Sequence, residues 1–254
     1  SIACESLSEA GLIISDSCKA KNKEYRLSPD IGAVIGIGIG GTTCWVGLFR
    51  ITGEELAIIK EPIDLSRGPD AILNMISRHI SSLMAQNNVR MEELRGIGMG
   101  IPSPVKYQEG YANHPAFMPG WHLLDLKKFF AEKYNCPAFI DNEVNTMALA
   151  EFIQRPDRNH HILLCLKAGT GIGAGLVIDG EIYRGENGGG NNVGHIQISG
   201  STALCKCGKI GCIEATASAP AVRQKATEYA KANPGTELWK IFSEEGSISL
   251  SAIK

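Results

Sequence analysis

The 254-residue chain has no charge imbalance, no long apolar run and no low-complexity tract, and each absence removes a class of function. With 25 Lys and Arg against 27 Asp and Glu, the formal charge is −2, so the chain as a whole offers no field to draw in nucleic acid or an anionic membrane. No apolar stretch approaches the ~20 residues of a membrane-spanning helix. The longest near the N-terminus, Gly11-Leu12-Ile13-Ile14, stops at Ser15-Asp16 and is too short for a secretion signal. These features predict a cytoplasmic protein with no membrane partner. The first residue is Ser rather than Met, which reads as a fragment. There is no G-x-x-x-x-G-K-[ST] loop, and no G-x-G-x-x-G opens a helix after a strand, so neither common nucleotide fingerprint is present.

What remains is an ordinary globular composition, 44% hydrophobic and 20% charged, in a length that suits one large or two modest domains. The 29 glycines fall in blocks beside apolar, β-branched runs, as strand-turn units do. Strands are expected at 33–39, 44–49 and 55–60, forming a meander. A helix follows from about Pro69 to Met84, where Ile72, Met75, Ile76, His79, Ile80 and Leu83 recur at helical spacing. Short strands at 96–99 and 138–140, and helices at 123–134 and 145–154, complete the first half. Strands at 162–167 and 173–178 restart the pattern, and helices follow Cys212. The repetition suggests two α/β halves with a cleft between them.

Two glycine turns carry a hydroxyl, Gly40-Gly41-Thr42-Thr43 and Gly169-Thr170-Gly171. Glycine lets backbone N–H groups approach a phosphate, and the hydroxyl adds a donor; the plain alternative is a pair of tight hairpins. Five of the eight cysteines are scattered, but Cys205, Cys207 and Cys212 lie within eight residues of each other, ten residues after His195. Three thiolates and an imidazole make a closed tetrahedral zinc set, which is structural because no position is left for water. Reduced surface thiols with an unrelated histidine are the other reading. Asp141-Asn142-Glu143-Val144-Asn145 ends a strand and opens a helix, where a carboxylate can act as a base or hold a polyol, or simply cap the helix. Glu214, just after the last cysteine, would be held rigidly by a metal loop and is otherwise a solvated helix residue. His160-His161 reads as a loop edge.

Taken in order, Gly36-Ile37-Gly38-Ile39-Gly40-Gly41-Thr42, Gly100-Ile101-Pro102-Ser103-Pro104-Val105, Pro119-Gly120-Trp121, Asp141 to Asn145, Gly169 to Gly175, Gly194-His195 and Cys205 to Glu214 resemble the ROK family of repressors and sugar kinases. The resemblance implies an α/β, ribonuclease-H-like fold of the actin and hexokinase type, bilobal, with a sugar in the interdomain cleft, a structural zinc, and a homodimer or homotetramer. It makes Gly40, Gly41, Thr42, Gly169, Thr170 and Gly171 phosphate and nucleotide loops. It makes Asn142, Glu143, Asn192, His195 and Glu214 sugar contacts, Glu143 also standing at the catalytic base position. His195, Cys205, Cys207 and Cys212 become the zinc ligands.

Three departures matter. Family kinases have Asp at Gly38, where it is expected to organise magnesium and phosphate. They have the shorter Asp at Glu143, and a carboxylate where this chain has Asn192. The N-terminal stretch Leu7 to Ile14, then Lys19, Lys21 and Lys23, then Glu24 to Asp30, resembles the wing and linker of the repressor branch. The resemblance therefore implies the sugar-sensing domain of a transcriptional regulator, binding DNA through an N-terminal winged helix missing from this chain. The alternative is an ATP-dependent sugar kinase using ATP and magnesium, and a third reading is a zinc-stabilised scaffold. The expected organisation is residues 1–30 as wing remnant and linker, 31–145 as an N-terminal α/β domain, and 146–254 as a C-terminal α/β domain with the zinc loop, both ends of the chain reading as truncated.

Overall fold

The computed structural model describes residues 2–15, 24–113, 118–122, 124–155 and 160–253. They divide into two units, Ser1–Glu143 and Val144–Lys254. The first unit opens with a helix, α1 (Ile2–Glu9), and a short ribbon in which β1 (Ile13–Ser15) pairs antiparallel with β2 (Tyr25–Leu27). Leu7, Ser8 and Glu9 of the wing-like stretch thus belong to the helix. The lysines at 19, 21 and 23 lie outside the described residues.

A five-stranded sheet follows. β3 (Ala33–Ile39), β4 (Thr43–Arg50) and β5 (Glu55–Pro62) form the antiparallel meander, and β6 (Leu94–Ile101) lies parallel to β3 on its other side. A two-stranded ribbon, β7 (Val105–Lys106) with β8 (Tyr111–Ala112), precedes the last strand, β9 (Ala138–Asn142), which runs parallel to β6. The order is β5-β4-β3-β6-β9. Alternation decides the faces: Ala33, Ile35, Ile37 and Ile39 of β3 are buried, together with Cys44, Val46 and Leu48 of β4. Against them pack α2 (Pro69–Gln86) through Ile72, Ile76, Ile80 and Leu83, and α3 (Leu126–Tyr134) through Leu126 and Phe130. Asp125 starts α3, its Oδ1 accepting from the Lys128 N–H at 2.8 Å, so the helix begins later than expected from its apolar pattern. The other face is lined along its middle by Gly36, Gly38, Gly47, Gly96 and Gly98.

α4 (Glu143–Gln154) starts where β9 ends, with no loop between them. In the second unit it packs on a three-stranded meander of β10 (Ile162–Ala168), β11 (Ile172–Ile178) and β12 (Glu181–Tyr183), its Ala148 meeting Leu163 and Val177. Gly175 permits this contact: a Cβ there would stand 2.3 Å from Val144 O and 2.8 Å from Ala148 Cβ. After the cysteine loop come α5 (Ile213–Ala217), α6 (Ala219–Ala232) and α7 (Glu237–Glu245). The last two close on each other through Ala226, Ala230, Leu238 and Phe242. No helix among the described residues is long and apolar enough to cross a membrane.

Candidate functional site

In the first unit, the segments marked in the sequence gather at the carboxyl ends of the parallel strands, the end at which open α/β sheets place ligands. Gly40, Gly41 and Thr42 form the turn after β3, Pro102 to Pro104 follow β6, and Glu143 follows β9. The Gly40 N–H donates to Thr43 O at 2.8 Å and closes the turn. Glu143 faces it: Oε2 lies 3.9 Å from the point a Cβ on Gly40 would occupy. Asn142 is held by donating Nδ2–H to Ser103 O at 3.0 Å, while its own N–H donates to Asp141 Oδ1 at 2.7 Å. Asp141 and Ser103 are buried, so the Asn142 side chain is set from below by groups that do not reach solvent. Ser103 lies in one of the segments that resemble the family, but its type and place in the sequence assign it no role. Pro102 and Pro104, which fix the backbone on both sides of its carbonyl, were the available signal.

In the second unit, the ligand atoms of His195, Cys205, Cys207 and Cys212 all lie within 4.8 Å of one another. The backbone explains the convergence. The Ile213 N–H donates to Ile196 O at 2.9 Å and the Ile198 N–H to Gly211 O at 2.7 Å, bringing the extended segment after His195 beside Cys212. The Gly208 N–H donates to Cys205 O at 2.9 Å, folding the thiols inward, and Gly208 and Gly211 take positive φ. A tetrahedral zinc with sulfur at ~2.3 Å and nitrogen at ~2.05 Å sets S···S at ~3.8 Å and N···S at ~3.6 Å. The observed separations are 3.7 Å between the Cys207 and Cys212 sulfurs and 3.6 Å between His195 Nδ1 and Cys205 Sγ. The donor set and its spacing therefore fit that ion. With no cation, burial pushes the Cys212 thiol up to about 12 and raises Cys205 as well. At Cys207 the upward push of burial is outweighed by the Lys209 backbone N–H and the neighbouring thiols, and its pKa falls below the ordinary value. His195 turns Nδ1 to the thiols, which leaves Nε2 for a second partner.

The second glycine turn, between β10 and β11, has the design of the first: the Gly169 N–H closes it by donating to Gly171 O at 2.9 Å. Glu214 is buried rather than solvated, and its Oε2 accepts from the Ile172 N–H at 2.8 Å. Asn192 is exposed and precedes the single helical turn Val193–His195 without capping it by its side chain. His161 sits at a loop edge, its Nδ1 2.8 Å from Asp179 Oδ1.

A family model described as the ROK family matches residues 34–254. A glucokinase from Halalkalibacterium halodurans is 30% identical over 216 residues, which is 85% of this chain and 65% of the relative. A xylose repressor from Caldicellulosiruptor bescii is 30% identical over 195 residues, 76% of this chain and 48% of the relative. Among solved structures, a ROK family transcriptional regulator described as a homolog of the E. coli MLC protein matches with a TM-score of 0.76 at 23% identity, over 98% of this chain and 63% of its own. That likeness is one of fold, and its extent takes in most of the segment ahead of residue 34. The chain spans between about half and two thirds of the length of these relatives.

Proposed function

The chain belongs to the ROK family and has its ribonuclease-H-like α/β fold, and from that premise we propose that it is the sugar-sensing part of a cytoplasmic transcriptional regulator. The missing carboxylate at position 38 carries this reading. Packing does not demand glycine there: a Cβ on Gly38 meets nothing closer than Trp45 Cβ at 3.9 Å. At Gly47, by contrast, a Cβ would stand 2.6 Å from the Phe49 ring. A side chain that would fit is absent where the family's kinases keep the Asp expected to organise magnesium. Phosphoryl transfer is mostly positioning and electrostatics. A base displaced by ~1 Å, as the longer Glu143 side chain would be, costs on the order of 100-fold. Binding without turnover is the function such a site supports.

Sugar hydroxyls are read by Asn142 and Glu143 in the first unit, and by Asn192, the His195 Nε2 and Glu214 in the second. One zinc on His195, Cys205, Cys207 and Cys212 holds the loop and takes no part in chemistry, since four protein ligands leave no open position. Ahead of the family-matched residues, α1 and the β1–β2 ribbon agree with the end of a winged helix, so DNA is the partner this reading adds. A homodimer or homotetramer completes it.

The 30% identity to a glucokinase over 85% of the chain favours a second reading, an ATP-dependent sugar kinase whose glycine turns at Gly40–Thr42 and Gly169–Gly171 hold the nucleotide phosphates. A thermal-shift screen of hexoses, pentoses, amino sugars and their phosphates separates them. A ligand at 100 times its Kd stabilises the fold by ~2.7 kcal/mol. The regulator reading expects such a ligand and no sugar-dependent ADP release, in this chain or any longer form of it. Turnover at ~1 to 100 s⁻¹ would establish the kinase instead. A screen with no shift at all would leave the zinc-stabilised scaffold.

A further inference from the structure

We propose that Glu214 is a positioning residue that latches the Gly169–Gly171 turn to the His195, Cys205, Cys207 and Cys212 cluster, so that metal occupancy sets the geometry of the turn. The inference rests on reading those four residues as a metal site and deepens the role of the turn as a ligand loop. The contacts run in sequence. Cys212 is the residue before α5, and Glu214 lies in the first turn of that helix. Its Oε2 accepts from the Ile172 N–H at 2.8 Å and lies 2.6 Å from where a Cβ on Gly171 would stand, so a side chain there would push the carboxylate from this position. The far end of the turn is tied to the same segment, the Ala219 N–H donating to Gly169 O at 2.8 Å. A third contact comes from the other side of the cluster. A Cβ on Gly194, beside His195, would stand 2.1 Å from Ile172 O, so the backbone next to that ligand presses directly on the residue that ends the turn.

Ile172 is thus hydrogen-bonded through its N–H to a residue two positions after Cys212, and its carbonyl lies in close backbone contact with the residue before His195. Backbone hydrogen bonds already set His195 beside Cys212, and a metal on the four ligands adds a direct tie between the two segments that flank Ile172. Burying a carboxylate is costly without a strong acceptor role, and the backbone N–H provides one. Without that tie the two segments would be joined by backbone hydrogen bonds alone, and the contacts on Ile172 from both sides would loosen together.

Amide hydrogen exchange on the 254-residue chain tests this, with and without zinc removal by 1,10-phenanthroline and with metal content measured in parallel. Zinc removal is expected to speed exchange at Ile172 and Ala219 on the order of tenfold while amides in the interior of β10 and β11 keep their protection. Glu214→Ala is expected to retain one zinc per chain and still speed exchange at Ile172. Glu214→Gln, which keeps an acceptor oxygen, restores protection. Bound zinc whose removal leaves Ile172 unchanged overturns the latch alone, as does unchanged exchange in Glu214→Ala. Loss of protection throughout β10 and β11 on zinc removal also overturns it, because the effect is then global unfolding. A chain that holds no zinc overturns the latch and the metal site together.

Discussion

Replacing Cys207 by Ser tests the cysteine cluster most cleanly. Cys212 and Cys205 are buried, so their loss would disturb packing as well as ligation, whereas Cys207 is half-buried and its sulfur faces the other ligand atoms. The observed 3.7 Å and 3.6 Å ligand separations already match a tetrahedral ion, so little rearrangement opposes binding. Zinc at 1,000 times its Kd stabilises the folded form by ~4.1 kcal/mol. For a unit of about a hundred residues that is a rise in melting temperature on the order of 15 °C or more. Elemental analysis of protein purified without added metal is expected to give one zinc per chain, falling well below one in Cys207→Ser. Calorimetry is expected to show the wild-type transition dropping on chelation to that of the variant. Cobalt in place of zinc is expected to give the intense visible bands of a tetrahedral thiolate site. Substoichiometric zinc that Cys207→Ser does not alter would refute the assignment, whatever the stability data show.

Two further outcomes follow from packing and from ionisation. Gly175→Ala forces a Cβ into Val144 O and Ala148 Cβ and is expected to cost ~1 to 3 kcal/mol in urea denaturation, while Gly98→Ala, with nothing within 4 Å, stays within about 1 kcal/mol of wild type; equal effects at the two sites would contradict the packing of α4 on β11. Burial first and the Glu61 charge second push the Cys44 thiol from an ordinary 9.0 up to about 12. The unfolded chain therefore releases this proton above pH 9 while the folded chain keeps it. The stability linked to Cys44 is complete below pH 9 and is lost as pH rises toward 12, by at most ~1.4 kcal/mol per pH unit. Denaturation of wild type and Cys44→Ala between pH 9 and 10.5 is expected to show the steeper fall in wild type, and parallel curves would count against the buried thiol.

The elements that sequence made legible are those whose pattern is local. The apolar alternation of β3 and the spacing of Ile72, Ile76, Ile80 and Leu83 in α2 are statements about neighbours, and they hold in the structure. The cysteine cluster was legible for the same reason, its three thiols falling within eight residues. α4 begins at Glu143 rather than Asn145 because β9 passes into it without turn residues to mark the change. β12 has three residues, Glu181 to Tyr183, too few to establish a period. The site was half legible. Asn142 and Glu143 stand out by type and place, but Asn142 is oriented by Ser103, 39 residues away, and Glu214 reaches Ile172 across 42. Such contacts depend on how strands assemble, and no window of sequence contains both partners.

The assembled strands also bear on the choice between sensing and turnover. Each unit has an antiparallel meander, a glycine turn between its first two strands, and a glutamate from the first turn of a helix set against that turn. Glu143 faces Gly40 in the first unit, and Glu214 meets Gly171 in the second. Two like charges ~4 Å apart at an effective dielectric of ~20 repel by about 4 kcal/mol. A polyphosphate at either turn is therefore better held with a cation between it and the glutamate, and a divalent ion on phosphates commonly takes one or two carboxylates as well. On β3, two residues before Gly40, the position from which one would reach is Gly38, which has room for a side chain and has none. A neutral polyol meets the same glutamates as hydrogen-bond acceptors and requires no counter-ion. On the proposed reading the glutamates serve a sugar as acceptors, and Gly38, which has room for a side chain, is the position at which introducing Asp tests whether a cation, and with it turnover, can be accommodated.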